Sequence, residues 1–171
     1  MLFTDGSKID SGTGAGIFSE NSSIRQSYSL GRYASITQAE AYGIMKACTN
    51  MIESHCEGKT VNICTDSQAC LKTLNSHCLT SKLLLESMIK VRNLSNRNVV
   101  NLVWVPGHQG VYGNEQADLL AREGSKQTME GTQPAFGLPY RIQRTIIRVK
   151  YSMKHRDMWS NLKNADNRKF F

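Results

Sequence analysis

Four acidic residues and one histidine carry the chemistry legible in this chain: Asp5, Glu40, Asp66, Asp118 and His108. His108 lies in Trp104-Val105-Pro106-Gly107-His108-Gln109-Gly110-Val111-Tyr112-Gly113-Asn114-Glu115-Gln116-Ala117-Asp118. That stretch runs from an apolar strand into a glycine-studded loop and then a helix presenting a carboxylate. It sets a mobile proton carrier beside a fixed anion, which suits hydrolysis of a phosphodiester at a metal site. The other acids stand in Phe3-Thr4-Asp5-Gly6-Ser7, Thr37-Gln38-Ala39-Glu40 and Thr65-Asp66-Ser67-Gln68. Four carboxylates gathered without a cation would repel one another, and some would stay protonated. Hard divalent ions resolve the conflict, because oxygen-only ligation selects Mg2+ or Mn2+ over zinc. Two such ions about 4 Å apart can activate an attacking water and stabilise the leaving oxygen of an in-line displacement.

Each residue also has a plainer reading. Glu40 can be the reciprocal partner of Thr37 in a capping box. Asp5 can be a turn former, Asp66 the N-cap of a short helix, Asp118 a solvated helix carboxylate and His108 an exposed loop histidine. Individually these compete with chemistry; jointly, in this order and these contexts, they do not.

The elements that must position these side chains follow from turn chemistry and periodicity. Met1 to Thr4 reads as a strand ending at Asp5. Gly14 to Ser19 and Ile24 to Leu30 form a hairpin across Asn21-Ser22-Ser23. A helix opens at Thr37-Gln38-Ala39-Glu40 and continues to about Ser54, with Ala41, Ile44, Met45, Cys48 and Ile52 as its core stripe. Thr60 to Thr65 alternates like a strand, Ser67 to Leu74 and Ser81 to Ser95 are helices, and Asn98 to Val105 is a strand. A last body helix runs from Asn114, as its cap, to about Lys126. A hairpin followed by βαβ units implies an α/β fold, a mixed sheet with helices on its faces. If the strands leading to Asp5 and Asp66 lie side by side and parallel, both carboxylates reach one sheet edge about 4.8 Å apart.

Composition sets the wider frame. At 171 residues the chain fits one domain of ordinary size. No apolar run approaches a membrane span of about 18 residues, and Asp5 comes too early for a signal peptide. The expectation is an intracellular protein without a membrane partner. Cys48, Cys56, Cys64, Cys70 and Cys78 contain no Cys-x-x-Cys pair, so they read as buried thiols rather than zinc ligands or disulfides. Residues 1–139 are neutral, with 12 basic and 12 acidic side chains, whereas residues 140–171 hold nine against two and supply the whole net charge of +7. This tail reads as an electrostatic handle for a polyanion or as a solvated segment. Gly131, Pro134, Gly137 and Pro139 mark a linker before it, and Ile142, Ile146, Val149 and Met153 share one helical face. The resulting division is a body over residues 1–127, a linker over 128–139 and a basic amphipathic tail over 140–171.

The quoted motifs closely resemble the type-1 ribonuclease H family over about residues 1–127. The most specific is Gly107-His108-x-Gly110-x-x-Gly113-Asn114-Glu115-x-Ala117-Asp118. The resemblance implies an RNase H-like fold, a five-stranded mixed sheet in order 3-2-1-4-5 that makes the Asp5 and Asp66 strands neighbours. It implies a metal-dependent endonuclease cutting the RNA strand of RNA–DNA hybrids and leaving 5′-phosphate and 3′-hydroxyl ends. Asp5, Glu40, Asp66 and Asp118 look like the catalytic quartet that holds two Mg2+ ions, with Mn2+ as a substitute. His108 matches the loop histidine that assists proton movement or product departure. Gly6, Ser7, Thr37, Gln38, Ser67 and Gln68 fall where the family meets the minor groove of the hybrid, where the 2′-hydroxyl marks the RNA strand.

Val105-Pro106-Gly107-His108-Gln109-Gly110, and the tail with Trp159 and Arg168-Lys169-Phe170-Phe171, are similar to domains fused behind reverse transcriptases of non-LTR retrotransposons. That likeness makes a reverse transcriptase of the same element a candidate partner, and leaves open a separate product, a polyprotein fragment or a host-adopted remnant. The chain departs from the family pattern in three places. Only four residues precede Asp5, which predicts a short central strand; Ser11 stands where many cellular members have asparagine; and little room remains for a basic handle after Asp66. Two other functions stay open: a decayed or repurposed nucleic-acid-binding module, and a different nuclease on the same fold.

Overall fold

The computed structural model describes residues 1–76, 81–128 and 137–166. Five strands, β1 (Leu2–Lys8), β2 (Thr13–Phe18), β3 (Arg25–Gly31), β4 (Thr60–Thr65) and β5 (Val99–Trp104), form one sheet in the order β3-β2-β1-β4-β5. β1, β2 and β3 pair antiparallel, while β1 with β4 and β4 with β5 are parallel. The helices are α1 (Ile36–Glu53), α2 (Gln68–Leu74), α3 (Lys82–Ser95), α4 (Tyr112–Lys126) and α5 (Tyr140–Asp166). The sheet order is the one the resemblance implied.

Residues 1–137 form one compact unit. α1 packs on β1, β2 and β4 with α3 against it, and α4 packs on β1, β2 and β3. The larger core holds Ile17, Ile44, Cys48, Ile63, Cys70 and Leu83, all fully buried. A smaller one joins Phe3, Phe18 and Cys64 to Ala117 and Leu120 of α4. Burial of this apolar surface is the main favourable term for both layers. α4 sits unusually near the sheet. A Cβ on Gly16 would overlap the Ala117 carbonyl oxygen, and one on Gly14 the Ser125 amide nitrogen. These strand glycines therefore mark a close backbone approach.

Local chemistry places several boundaries differently from the sequence reading. β1 does not stop at Asp5 but runs seven residues to Lys8, because β2 pairs with it through Lys8↔Thr13. The short central strand expected from the position of Asp5 is thus absent. The capping box of α1 is not Thr37–Glu40. Ser35 is the N-cap: its Oγ accepts from the Gln38 amide, and the Gln38 side chain accepts from the Ser35 amide. α4 begins at Tyr112 with Val111 as its cap, so Asn114 is not a cap but lies within the first turn. Gly113 rests against the Phe3 ring and Tyr112 meets Phe18 edge-on, contacts that favour the earlier start. In the predicted α1 stripe, Ala41, Ile44 and Cys48 are buried while Ile52 is 36% exposed.

Cys48, Cys56, Cys64 and Cys70 are free thiols, three of them buried, and Cys78 lies outside the described residues. Burial pushes the Cys48 and Cys70 thiols up to about 12, so both are inert at neutral pH. Most of the predicted linker and Arg168-Lys169-Phe170-Phe171 also lie outside the described residues. The second unit contains α5, a 27-residue helix on which His155 stacks with Trp159. Among the described residues no helix is long and apolar enough to cross a membrane.

Candidate active site

β1 and β4 are paired only at Leu2↔Ile63 and Phe3↔Cys64. Continuing that register sets Asp5 opposite Asp66, just where β4 has ended and the two strands are no longer paired. α1 brings the third acid. A Cβ on Gly6 would lie 2.9 Å from the Glu40 amide nitrogen and 3.1 Å from the Ile36 carbonyl oxygen. Glycine at this position lets the start of α1 rest directly on β1, and Glu40 turns inward beside Asp5. One oxygen from each of Asp5, Glu40 and Asp66 then lies within 4.8 Å of the other two. Asp5 and Glu40 are buried, and Asp66 is half-buried.

Each carboxylate is fixed by a specific donor. The Gly6 amide donates to Asp5 Oδ1 at 2.8 Å, and Thr65 Oγ1 donates to Glu40 Oε2 at 3.2 Å. Asn114 Nδ2 reaches Asp66 Oδ2 at 3.4 Å, while its buried Oδ1 has no partner among the described residues. The α2 cap is Ser67, whose Oγ accepts from the Cys70 amide, so Asp66 is not needed as an N-cap. Moving the α1 box to Ser35 and Gln38 likewise leaves Glu40 outside the capping interaction.

The electrostatics are those of an anionic cage. Burial, then the neighbouring Asp66, pushes Asp5 up to about 7, against the lowering effect of the Gly6 amide. Burial, then Asp5, pushes Glu40 up to about 9. Both shifts have the same origin: a charged carboxylate here is stripped of water and faces others of its own sign. Three oxygen donors that resist shared ionisation fit a hard divalent cation, which would relieve both penalties.

Asp118 stands apart. It is close enough to raise the Asp5 pKa, but it is not among the clustered oxygens. Arg122, one turn further along α4, holds both of its oxygens: Nε donates to Oδ1 at 2.9 Å and Nη2 lies 2.9 Å from Oδ2. His108 is exposed and has a left-handed backbone (φ 54°), next to Gly110 at φ 78°. The residue before it, Gly107, lies so near Asp66 that a Cβ there would strike Oδ2. The loop is thereby anchored beside the cluster. Of the expected groove contacts, Ser7 and Thr37 are half-buried and Gln68 is exposed. The Gly6 amide, the Gln38 side chain and Ser67 Oγ are engaged within the fold.

Comparisons with known proteins bear on the family and the fold of the chain. The RNase H family model matches residues 1–126. The chain belongs to the RNase H family. It is 31% identical over 141 residues to the Pol polyprotein of Equine infectious anemia virus (strain Wyoming), an alignment covering 77% of this chain and 11% of the polyprotein. The chain thus spans about a tenth of the length of that relative. The crystal structure of RNase H1 from the halophilic archaeon Halobacterium salinarum NRC-1 superposes with a TM-score of 0.53 at 22% identity, covering 72% of this chain and 94% of that one. At that identity the likeness establishes the RNase H fold.

Sequence reasoning missed two contacts around this cluster. Asn114 was legible only as a cap, yet the earlier helix start turns it toward Asp66. Arg122 follows Asp118 by four residues on a helix, a spacing that signals an ion pair without a structure.

Proposed function

We propose that this chain is a divalent-metal-dependent ribonuclease H that hydrolyses the RNA strand of RNA–DNA hybrids. The observation that carries the reading is the convergence of Asp5, Glu40 and Asp66, in a chain of this family, into one group of oxygens within 4.8 Å. Asp5, Glu40, Asp66 and Asp118 would hold the cations, two Mg2+ ions or Mn2+ in their place. When bound there, such ions supply Lewis acidity to the attacking water and to the leaving oxygen, which yields 5′-phosphate and 3′-hydroxyl ends.

The chain's own residues do the rest. Asp5 and Glu40 must surrender the protons their raised pKa values retain before they can act as ligands. Thr65 and Asn114 orient two of the carboxylates. His108 moves protons at the rim, in exchange with solvent. Gly6, Ser7, Thr37, Gln38, Ser67 and Gln68 line the hybrid-binding side, with Ser7, Thr37 and Gln68 presenting side chains and the others shaping the surface. The deciding assay is cleavage of a labelled hybrid by the isolated chain, with Mg2+ and with EDTA, alongside duplex DNA and duplex RNA. Absence of Mg2+-dependent hybrid cleavage would leave a nucleic-acid-binding module; preference for another duplex would make it a different nuclease of the fold.

His108→Ala is expected to slow turnover by about 10²-fold, the lower end of what one positioned proton carrier contributes, with metal affinity unchanged. Lost metal affinity, read by calorimetry, would make the histidine a structural support of the loop instead. A reverse transcriptase of the same element is the proposed partner, on the likeness to domains carried behind such enzymes. For the basic tail, deletion of residues 140–171 is expected to weaken hybrid binding and flatten its dependence on salt, because fewer counterions are released. An unchanged salt slope would mean that the tail contributes no phosphate contacts.

A further inference from the structure

We infer that Arg122 is a positioning residue that withholds Asp118 from the carboxylate cluster until a cation arrives, and so sets how much metal the site requires. The inference rests on the metal-site reading above.

Three observations on α4 lead to it. Asn114, Asp118 and Arg122 follow one another at four-residue steps and therefore share one helix face. Asn114 on that face reaches Asp66, so the face borders the cluster. Asp118, one turn on, is near enough to act on Asp5 electrostatically, yet Arg122 grips both of its oxygens at 2.9 Å.

The asymmetry of the pair matters. The Asp118 side chain is 17% exposed and that of Arg122 is 53% exposed, so the carboxylate faces the protein and the guanidinium faces water. A two-pronged guanidinium–carboxylate contact is directional as well as charged, which a single lysine ammonium could not reproduce. Without a cation, the cluster of buried acids offers Asp118 no positive partner, and Arg122 supplies one. With a cation present the balance reverses, and Asp118 must leave Arg122 to become a ligand. Whatever stabilisation the pair supplies is then subtracted from the affinity for metal. Surface-facing pairs of this kind are modest in strength, so the change in affinity is a small multiple rather than orders of magnitude.

The test is calorimetric titration of Mn2+ into the full chain without nucleic acid, which reads binding and not turnover. Arg122→Gln is expected to tighten Mn2+ binding roughly threefold to tenfold. Arg122→Lys, which keeps the charge but loses the fork, is expected to tighten it by a smaller factor. The gain must depend on Asp118: in an Asp118→Asn background, Arg122→Gln should change Mn2+ affinity little, as in a double-mutant cycle. Unchanged or weakened binding in both Arg122 variants would overturn the inference. So would an equal gain in the Asp118→Asn background, which would mean that Arg122 acts only through its general field. Asp5→Asn separates this from the reading beneath it. If Asp5→Asn binds Mn2+ as the unmodified chain does, the metal lies elsewhere and both fail. If it loses Mn2+ while the Arg122 variants match the unmodified chain, only the role of Arg122 fails.

Discussion

Asp5→Asn and Asp66→Asn are expected to lower hybrid cleavage by about 10³-fold or more while leaving the protein folded. The magnitude follows from the charge stabilisation of several kcal/mol that a bound cation supplies to a phosphoryl transition state. Each substitution keeps the shape of the side chain and one carbonyl oxygen. Asparagine at position 5 can still accept from the Gly6 amide, and asparagine at position 66 can still accept from Asn114. What disappears is a negative charge from a group of three oxygens lying within 4.8 Å of one another. In the metal-free protein that charge is unfavourable, so the inactive variants should melt no lower than the parent in EDTA. Cleavage rates at saturating Mg2+, with melting curves on the same samples, make the check. Activity within a few-fold of the parent would remove these two residues from the catalytic machinery. Loss of activity accompanied by loss of the melting transition would show only misfolding.

The second large effect is on stability against pH. Without metal, the melting temperature is expected to fall as pH rises from about 5 to 9. Asp5 and Glu40 are raised to about 7 and about 9, above the ordinary values of 3.8 and 4.5 that hold in the unfolded chain. Between those limits the native state binds more protons than the unfolded one, so stability decreases with increasing pH. The contribution is fully present below about pH 4 and is lost as pH passes through about 7 for Asp5 and about 9 for Glu40. Each tenfold difference in proton affinity is worth about 1.4 kcal/mol. The loss amounts to several kcal/mol, enough to move the melting temperature by about 10 °C or more in a chain of this size.

Saturating Mg2+ or Mn2+ should flatten or reverse the trend, since a cation stabilises the native state and binds better once its ligands are deprotonated. Glu40→Gln should also flatten the metal-free profile, because it removes the group with the higher pKa. Circular-dichroism melts in EDTA across this range test the point. A melting temperature that holds level or climbs between pH 5 and 9 would show that the two acids are not held protonated in the native state.

These effects trace back to features of different legibility. The elements that carry the acids could be read along the chain because their periodicity is local, although β1 runs past Asp5 and α4 starts ahead of Asn114. Thr60–Thr65 alternates and is bounded by Gly58 and Asp66, and it is β4. The adjacency of the Asp5 and Asp66 strands was implied by the resemblance carried by the Gly107–Asp118 motif, and the sheet has that order. The local code was ambiguous wherever two neighbouring residues offered the same chemistry. Ser35 and Thr37 can each cap a helix with a partner three residues on, and local pattern alone did not choose between them. In the fold, Gly6 seats the start of α1 against β1, and Ser35 with Gln38 forms the box.

What the chain determined by itself, then, was the inventory: which carboxylates are available, on which elements, and that a sheet edge would collect them. Only tertiary structure decided how each side chain is used. Packing of Gly113 on Phe3 accompanies an α4 that starts ahead of Asn114, which leaves that amide for Asp66. Burial raised the pKa values of Asp5 and Glu40. The physical reason is common to these cases. Desolvation and like-charge repulsion depend on what surrounds a group in space, and residues distant in sequence supply those surroundings.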